Sequence, residues 1–347
     1  MKQIKYVFLM LLISICCCGC TQSGIGDKVI VKAIFLDRSS QYAAQLLVLK
    51  TSPSADAGDA SETTEFITGQ GASLYEALRS AEESTSSDVF YGQNELLFIG
   101  PSLQREGMFE SCRYLAQNSS SGRPNMAVYG IDAVPEHVLL LEDSGKQFLD
   151  HISQLVKQGA YRTYLYQMIV EDETALLPLL HCEDEGNVQP AGLKVYQKGK
   201  ESELWVGPAV ELAALFSGQS GVKNLELYID KEPITVTLRS PELFYDCVEN
   251  NTNMDLQIHL SGHVQQVLGA EGLYKKCEQQ KMLKQINEQI ETIVSIMLET
   301  AFQPFGDVFL LENRFRNQND LLAMKMKDAG ALYQLQRIHF SSELKIV

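Results

Sequence analysis

The sequence predicts a multidomain α+β protein with mixed β-sheets flanked by helices and one long amphipathic helix near the C-terminus. The chain has 347 residues, which is enough for two or three domains at roughly 100–200 residues each. Strand and helix patterns alternate over residues 28–140, as expected for a mixed α/β layer. Beyond about residue 190 the chain is rich in strand patterns and then continues into a single long helix.

The composition excludes several classes of protein. Hydrophobic residues make up 45% of the chain and charged residues 21%, which are ordinary values for a globular protein and exclude disordered and low-complexity classes. The formal net charge is −15, whereas binding to a nucleic acid needs a basic face that releases phosphate counterions. We therefore expect no nucleic-acid partner.

The beginning of the chain has the pattern of a secretory signal. Lys2 and Lys5 form a positive end, and the apolar run 6–15 follows them. This run is too short for a helix that spans a membrane, which needs about 20 residues. The pattern therefore favours a cleaved signal over a permanent transmembrane helix.

The end of this signal indicates the type of secreted protein. Bacterial lipoprotein signals resemble it, because they place Gly or Ala directly before a cysteine that is diacylated before cleavage, and Gly19 precedes Cys20 here. We predict a lipoprotein signal peptide at 1–19, lipidation of Cys20, and a tether at 20–27. An uncleaved anchor and a secreted protein cleaved elsewhere are the alternatives.

The predicted mature chain is more acidic than its precursor. Removal of residues 1–19 removes Lys2 and Lys5 but no acidic residue, so the formal charge changes from −15 to −17. No later segment has the 18 or more consecutive apolar residues of a transmembrane helix, so we expect a soluble body outside the cytoplasm. Four further cysteines either form disulfides or stay as free buried thiols: Cys112, Cys182, Cys247 and Cys277.

The predicted N-terminal domain, residues 28–188, begins with two strands. Their patterns cover 28–37 and 41–50, and a polar stretch from Thr51 to Glu65 predicts a mobile loop after them. Ser73 is a suitable N-cap for the first helix, and Glu76 three residues later completes a capping box. The apolar stripe of this helix consists of Leu74, Ala77, Leu78 and Ala81.

The rest of this domain alternates strands and helices. The patterns predict a strand at 95–100, a helix around 105–117, a strand at 126–131, a helical stretch opened by Pro135 and a helix at 145–158. Residues 163–170 fit either an extended or a helical segment. Acidic clusters at 171–173 and 183–185, together with Gly186 and Pro190, predict a linker, so we place the domain boundary near 186–191.

The predicted C-terminal domain, residues 191–347, has an α+β pattern. It comprises a hairpin of 192–196 with 204–206, a helix at 209–216, strands near 223–230, 233–239 and 254–260, a long helix at 274–302 and a final strand at 343–347. The long helix has apolar residues at helical spacing, among them Ile286, Ile290 and Val294. This stripe predicts a face that packs against the core.

Motifs for nucleotide binding and nucleophilic catalysis are incomplete. Gly69-Gln70-Gly71 begins like a dinucleotide fingerprint, but Leu74 occupies the place of the third glycine. Ser220 lies between Gly218 and Gly221 but lacks the final glycine of a nucleophile elbow. We therefore predict turns or packing glycines at both places, and no bound cofactor.

The sequence patterns that indicate metal sites are incomplete as well. His259 and His263 have the spacing of two zinc ligands on one helix face, but the residues between them follow a strand pattern. The acidic clusters lack the glycine turn of a calcium loop. We predict no metal site and, since no nucleophile, base and oxyanion donors are brought together, no enzymatic activity.

Several motifs occur along the chain in an order that resembles the Ger(x)C family, the lipoprotein C subunits of spore germinant receptors. They are the lipoprotein end at Cys20, the glycine turn and helix start at 69–77, the strand at 91–100, Arg123 before the strand that leads to 135–139, the segment 192–196, the long helix, Phe305-Gly306-Asp307 and the final strand 343–347. The resemblance thus covers most of the mature chain.

The resemblance implies a fold, a role and a location. The family is multidomain α+β, and its members are non-enzymatic subunits that work with two integral-membrane partners, the A and B subunits, at the inner spore membrane. The complex senses nutrients and triggers germination. The alternative function is an extracytoplasmic solute-binding lipoprotein, which has the same anchor but is expected to repeat βα units in two lobes.

Overall fold

The chain is described from a computed structural model. It describes residues 28–52, 61–118, 121–132, 144–169, 174–182, 188–197, 200–247, 253–264, 276–306, 308–309 and 334–346. These residues form two β-sheets with helices packed against them, so the predicted α+β class is confirmed.

Within the described residues, ten strands form the first sheet. Its order is β10-β9-β8-β6-β5-β1-β2-β3, with β4 beside β1 and β7 beside β6. The strands are β1 Lys28–Arg38, β2 Tyr42–Ser52, β3 Ser61–Gly71, β4 Asp88–Phe90, β5 Leu96–Ile99, β6 Ala127–Ile131, β7 Thr163–Tyr164, β8 Thr174–Cys182, β9 Val188–Gln197 and β10 Lys200–Glu201. The inner strands β1, β5, β6 and β8 are parallel, and the outer pairs are antiparallel.

Helices cover both faces of the first sheet because its inner strands are apolar on both sides. One face packs against α1 Leu74–Glu83, α2 Pro101–Arg105, α3 Met108–Gln117 and α5 Leu165–Met168. The opposite face packs against α4 Ser144–Lys157 through an aromatic cluster. In that cluster Phe35 stacks on Phe98 with ring centroids 4.6 Å apart, and Phe148 of α4 contacts both rings.

The first helix begins as its sequence predicts. The Ser73 hydroxyl accepts a hydrogen bond from the backbone N–H of Glu76 (3.2 Å), and the Glu76 carboxylate accepts one from the N–H of Ala72 (2.9 Å). Both bonds satisfy N–H groups that would otherwise lack a partner at this helix end. The four residues of the predicted apolar stripe are all buried.

The second sheet contains, in the described residues, five strands. They are β11 Val222–Ile229, β12 Glu232–Arg239, β13 Glu242–Cys247, β14 Asn253–Val264 and β15 Gln334–Ile346, with β15 parallel to β14. Buried and exposed residues alternate along β11, which is the pattern of a sheet with one covered face. The covered face packs against α6 Pro208–Phe216 and the long helix α7 Lys276–Met297.

The long helix ends in an irregular turn. After α7 the backbone adopts a π-helical turn at Leu298–Phe302, and the short helix α8 follows at Gln303–Phe305. Ile286, Ile290 and Val294 are fully buried, so the predicted packing stripe is confirmed.

Four predictions about elements need correction. The polar stretch 51–65 is not all loop, because β2 extends to Ser52 and β3 begins at Ser61, where the two strands pair. The helix predicted around 105–117 begins only at Met108, and the short helix α2 precedes it, since Gly107 between the two has a left-handed φ of 97°. Strand β13 was not predicted, and β15 begins at Gln334 rather than near 343.

The predicted linker near 186–191 is also wrong from Val188 onward. Strand β9 pairs with β8 there, with Pro190 opposite Leu180. Pro190 is tolerated at this point because the ladder has a bulge between Leu179 and Leu180. The first sheet therefore continues across the predicted boundary, and the division into domains at 28–188 and 191–347 stays a prediction. The helical stretch from Pro135 lies outside the described residues.

Residues 163–170, which fitted either state, contain both. A short strand β7 at Thr163–Tyr164 leads directly into α5. The hairpin predicted for 192–196 and 204–206 is confirmed, since Leu193 and Trp205 exchange backbone hydrogen bonds of 2.8 and 2.9 Å.

Candidate functional site

The predicted lipidation site, Cys20, lies outside the described residues, which begin at Lys28. The predicted signal peptide 1–19, the tether 20–27 and the acidic clusters at 171–173 and 183–185 lie outside them as well. Among the helices that the structure describes, none is long and apolar enough to cross a membrane.

The glycines of the incomplete nucleotide motif have a packing role. Gly69 and Gly71 lie at the end of β3, where α1 crosses the strand. A Cβ atom at Gly69 would lie 2.1 Å from the backbone nitrogen of Ala81, and one at Gly71 would lie 2.4 Å from Cβ of Glu76. These residues therefore allow close contact between helix and strand, and they do not form a loop around a phosphate.

The serine and histidine residues that the motifs singled out do not form a catalytic or metal site. The Ser220 hydroxyl donates to the carbonyl oxygen of Val222 (2.6 Å) in the turn before β11. His259 and His263 lie four residues apart on β14, which separates their Cα atoms by about 13 Å, too far for one zinc ion. In the part of the chain that the structure describes, no three His, Cys, Asp or Glu residues converge as a metal site.

One polar cluster that the sequence analysis missed lies at the carboxyl ends of β6 and β8. The Asp132 carboxylate pairs with Nδ1 of His181 and accepts the backbone N–H of Cys182 (3.0 Å). Burial, and then the charge of Asp132, raise the pKa of the Cys182 thiol to about 12. Since only a thiolate is a good nucleophile, this arrangement does not activate Cys182. Cys182 and Cys112 are free thiols.

The usual ligand crevice of a parallel sheet is filled by a side chain. Such a crevice forms at the carboxyl ends of neighbouring strands whose connections leave toward opposite faces. β5 and β6 meet this condition, because α2 and α3 lie on one face and α4 on the other. The Gln104 amide donates to the carbonyls of Ile99 (2.7 Å) and Ile131 (2.8 Å), and its oxygen accepts from the Tyr196 hydroxyl (3.0 Å).

The clearest contact between the two sheets is a hydrogen-bonded junction, which we define as residues 159–162 facing residues 217–223. Gln219 binds both backbone groups of Arg162: its Oε1 accepts the N–H (2.9 Å), and its Nε2 donates to the carbonyl. The Tyr161 and Ser217 hydroxyls are 2.9 Å apart, and burial raises the pKa of Tyr161. No local sequence pattern identifies these partners, because they are far apart along the chain.

The junction continues through a charged residue. Lys223 donates from Nζ to the carbonyl of Gly159 (2.7 Å) and forms an ion pair with Glu211 of α6 (2.8 Å). The Lys223 side chain is mostly buried in this position, so both partners compensate its charge where water is scarce. The junction thereby connects the end of α4 with α6 and β11.

An apolar cavity of about 250 Å³ lies next to the junction, and we call it the seam cavity. Its floor is formed by β6, β8 and β9, one wall by α4 with residues 160–161, and the other wall by residues 206–211 at the start of α6. It separates the aromatic cluster under α4 from the core around the second sheet. The described residues at the incomplete nucleotide and nucleophile motifs thus have structural roles. The seam cavity, in contrast, is a feature that no sequence motif predicted.

Comparison with known protein families gives a match to the N-terminal part of the chain. Residues 22–173 match the family model described as the spore germination protein N-terminal domain. The predicted resemblance to the Ger(x)C family is therefore confirmed for these residues, which match a spore germination domain.

A solved structure described as the crystal structure of the GerBC protein is similar over 90% of this chain and 96% of its own, with 13% sequence identity and a TM-score of 0.48. A search of the curated proteins gave no match.

Proposed function

We propose that this chain is a lipid-anchored, non-enzymatic C subunit of a spore nutrient-germinant receptor, which acts with integral-membrane A and B subunits at the inner spore membrane. The observation that supports this most directly is the match of residues 22–173 to the spore germination domain. The signal that ends at Gly19 and Cys20 supports the anchor. The solute-binding alternative expects two similar βα lobes, whereas the described second sheet is mainly antiparallel.

The proposed anchor also limits the distance between the membrane surface and the start of β1. Cys20 and Lys28 are eight positions apart, so a fully extended tether spans at most about 29 Å. Lys28 is the first residue of β1, an inner strand of the first sheet. The end of the sheet at which β1 and the other parallel inner strands begin is therefore proposed to face the membrane, where the A and B subunits are embedded.

We expect lipid to attach the protein to the membrane, because the net charge of the protein does not favour binding to a membrane surface. The proposed mature chain has a formal charge of −17, and anionic membrane surfaces attract basic segments. One acyl chain gives only marginal binding, whereas two chains hold a protein stably, and diacylation of Cys20 supplies two. We therefore expect membrane attachment to depend on this single residue.

The test is Cys20→Ala, with Cys18→Ala as the matched control in the same signal. Cys20→Ala is expected to abolish labelling with a palmitate analogue, leave an unprocessed precursor, and impair germination with the nutrient that this receptor serves. Germination by triggers that bypass nutrient receptors is expected to stay normal. The Cys18→Ala variant is expected to behave like the wild type in every assay. Lipid labelling of the Cys20→Ala chain would contradict the proposed site. A normal nutrient response without lipid would contradict anchoring as the functional requirement.

Partnership with the A and B subunits needs its own test. A tagged chain, extracted from spore membranes in mild detergent, is expected to co-purify with two polytopic membrane proteins. Recovery of the lipidated chain alone, under conditions that keep other receptor complexes intact, would contradict the proposed role and favour the solute-binding alternative.

A further inference from the structure

We propose that the seam cavity binds a small, neutral, mainly hydrocarbon ligand. Its lining includes Ile152 and Leu155 of α4, Leu180 and Leu193 of the first sheet, and Val210 of α6. Aliphatic side chains predominate in the lining and favour a ligand that gains by leaving water and needs no charged partner.

Two of the polar side chains that line the cavity, Glu211 and Tyr161, already have partners, and burial raises the pKa of the third, Tyr129, to about 12, so it is a neutral phenol. The Glu211 carboxylate is paired with Lys223, and the Tyr161 hydroxyl lies within hydrogen-bond distance of Ser217. A charged ligand would have to displace one of these bonds or rely on the Tyr129 hydroxyl alone, and a charge so poorly compensated in an apolar site is costly. The cavity therefore selects against carboxylates and amines.

The backbone around the cavity is irregular on two sides. On the floor, β9 bulges opposite Leu179 and Leu180, and Gly192 has a φ of 146°. A Cβ atom at Gly192 would lie 2.2 Å from the carbonyl oxygen of Trp205. On the wall, Gly207 has a φ of 56° directly before α6. Bulges and special backbone conformations of this kind concentrate beside binding sites, so the cavity is a built feature of the fold.

The size of the cavity sets the size of the ligand. Protein interiors are close-packed, and an unfilled apolar space lacks the contacts that its lining atoms otherwise make. A cavity of roughly 150 Å³ lined by aliphatic residues takes up benzene, and the seam cavity has about 250 Å³. A molecule such as a benzene ring with a short branched alkyl chain fits this volume.

The cavity is also accessible. Val206, which lines it, is 57% exposed, and the neighbouring Leu204 is 41% exposed. A ligand that enters there contacts α4 on one side and α6 on the other, so it joins two hydrophobic clusters that are otherwise separate. Binding is therefore expected to stabilise the arrangement of the two sheets at the junction.

Titration with isobutylbenzene tests the proposal directly. The mature chain, residues 20–347, carries Cys20→Ser for this purpose so that no acyl chain competes for the cavity. We expect saturable binding by calorimetry, a rise in the melting temperature, and a change in the emission of Trp205, the single tryptophan of the chain. Absence of saturable binding would overturn the proposal, and so would equal affinity for benzoate or benzylammonium.

Filling variants locate the binding site. Val210→Phe fills the cavity from α6 and is expected to weaken binding at least tenfold without lowering the melting temperature. Val222→Phe adds the same ring at an exposed position outside the cavity and is expected to leave binding unchanged. If Val210→Phe does not fold, Ala160→Leu fills the cavity from the opposite wall. Unchanged affinity in the folded filling variant would place the ligand elsewhere and overturn the proposal.

Discussion

At the residue scale, two glycines decide how an apparent motif is interpreted. Gly69 and Gly71 have the spacing of a phosphate-binding loop, yet both lie at the end of β3 under α1. No larger residue fits at Gly69, because the space for a Cβ atom is taken by the backbone of α1. Backbone cannot rotate away as a flexible side chain does, so the requirement for glycine here is steric.

Gly69→Ala is therefore expected to destabilise the protein by at least about 1–3 kcal/mol, the usual range for overpacking. Gly221→Ala is the matched control, because a Cβ atom there has no neighbour within 4 Å. It is expected to leave the free energy of unfolding unchanged or to raise it by about 0.4–1 kcal/mol. Urea unfolding of both variants measures this, and equal midpoints for the two would show that α1 does not pack closely on β3.

At the element scale, the sequence predicts which face of the long helix α7 packs against the core, but it does not predict the irregular turn that follows this helix. Its buried residues recur at helical spacing, so the sequence pattern identifies the face that packs against the core. The π-helical turn at Leu298–Phe302 has no counterpart in that pattern, because an extra residue in one turn depends on what the turn packs against.

Ile290→Ala is expected to cost about 2–5 kcal/mol, since the side chain is fully buried and its removal leaves a cavity. Ile296→Ala, in the same helix, is expected to change the free energy of unfolding by less than about 0.5 kcal/mol because Ile296 is 52% exposed. Denaturant unfolding compares the two variants. A wild-type midpoint for Ile290→Ala would contradict the burial of this face.

At the scale of the whole molecule, the junction between the two sheets depends on a few long-range bonds. Gln219 satisfies both backbone groups of Arg162, and Lys223 reaches the carbonyl of Gly159. The hydrophobic core around the second sheet also includes Leu176 and Leu193 of the first sheet. We expect the two sheets to unfold together, since they share this core.

Gln219→Ala tests the junction. It leaves the N–H and C=O of Arg162 without their partners in a partly buried place, which is expected to cost about 1–3 kcal/mol. Gln70→Ala removes an exposed glutamine from β3 and is expected to change stability by less than about 0.5 kcal/mol. Calorimetric unfolding separates the outcomes, and equal melting temperatures for the two variants would mean that the Gln219 bonds contribute nothing.

Features that depend on neighbouring residues can be predicted from the sequence alone. Periods of apolar residues identify most strands and helices, and the Ser73 cap follows from a residue and its third neighbour. The order of motifs was likewise sufficient to identify the germination family that residues 22–173 match. These signals are local, or require only order along the chain, so no tertiary information is needed to detect them.

Features that join distant residues become visible only in the folded structure. The assignment of β9 to the first sheet, the closure of the β5–β6 crevice by Gln104 and the seam cavity each need contacts between segments far apart in sequence. Tyr161 and Ser217, for example, are 56 residues apart. Periodicity describes which face of a segment is apolar, but not which other segment will cover it. The packing of whole elements makes that choice, and here it also leaves the seam cavity between α4 and α6.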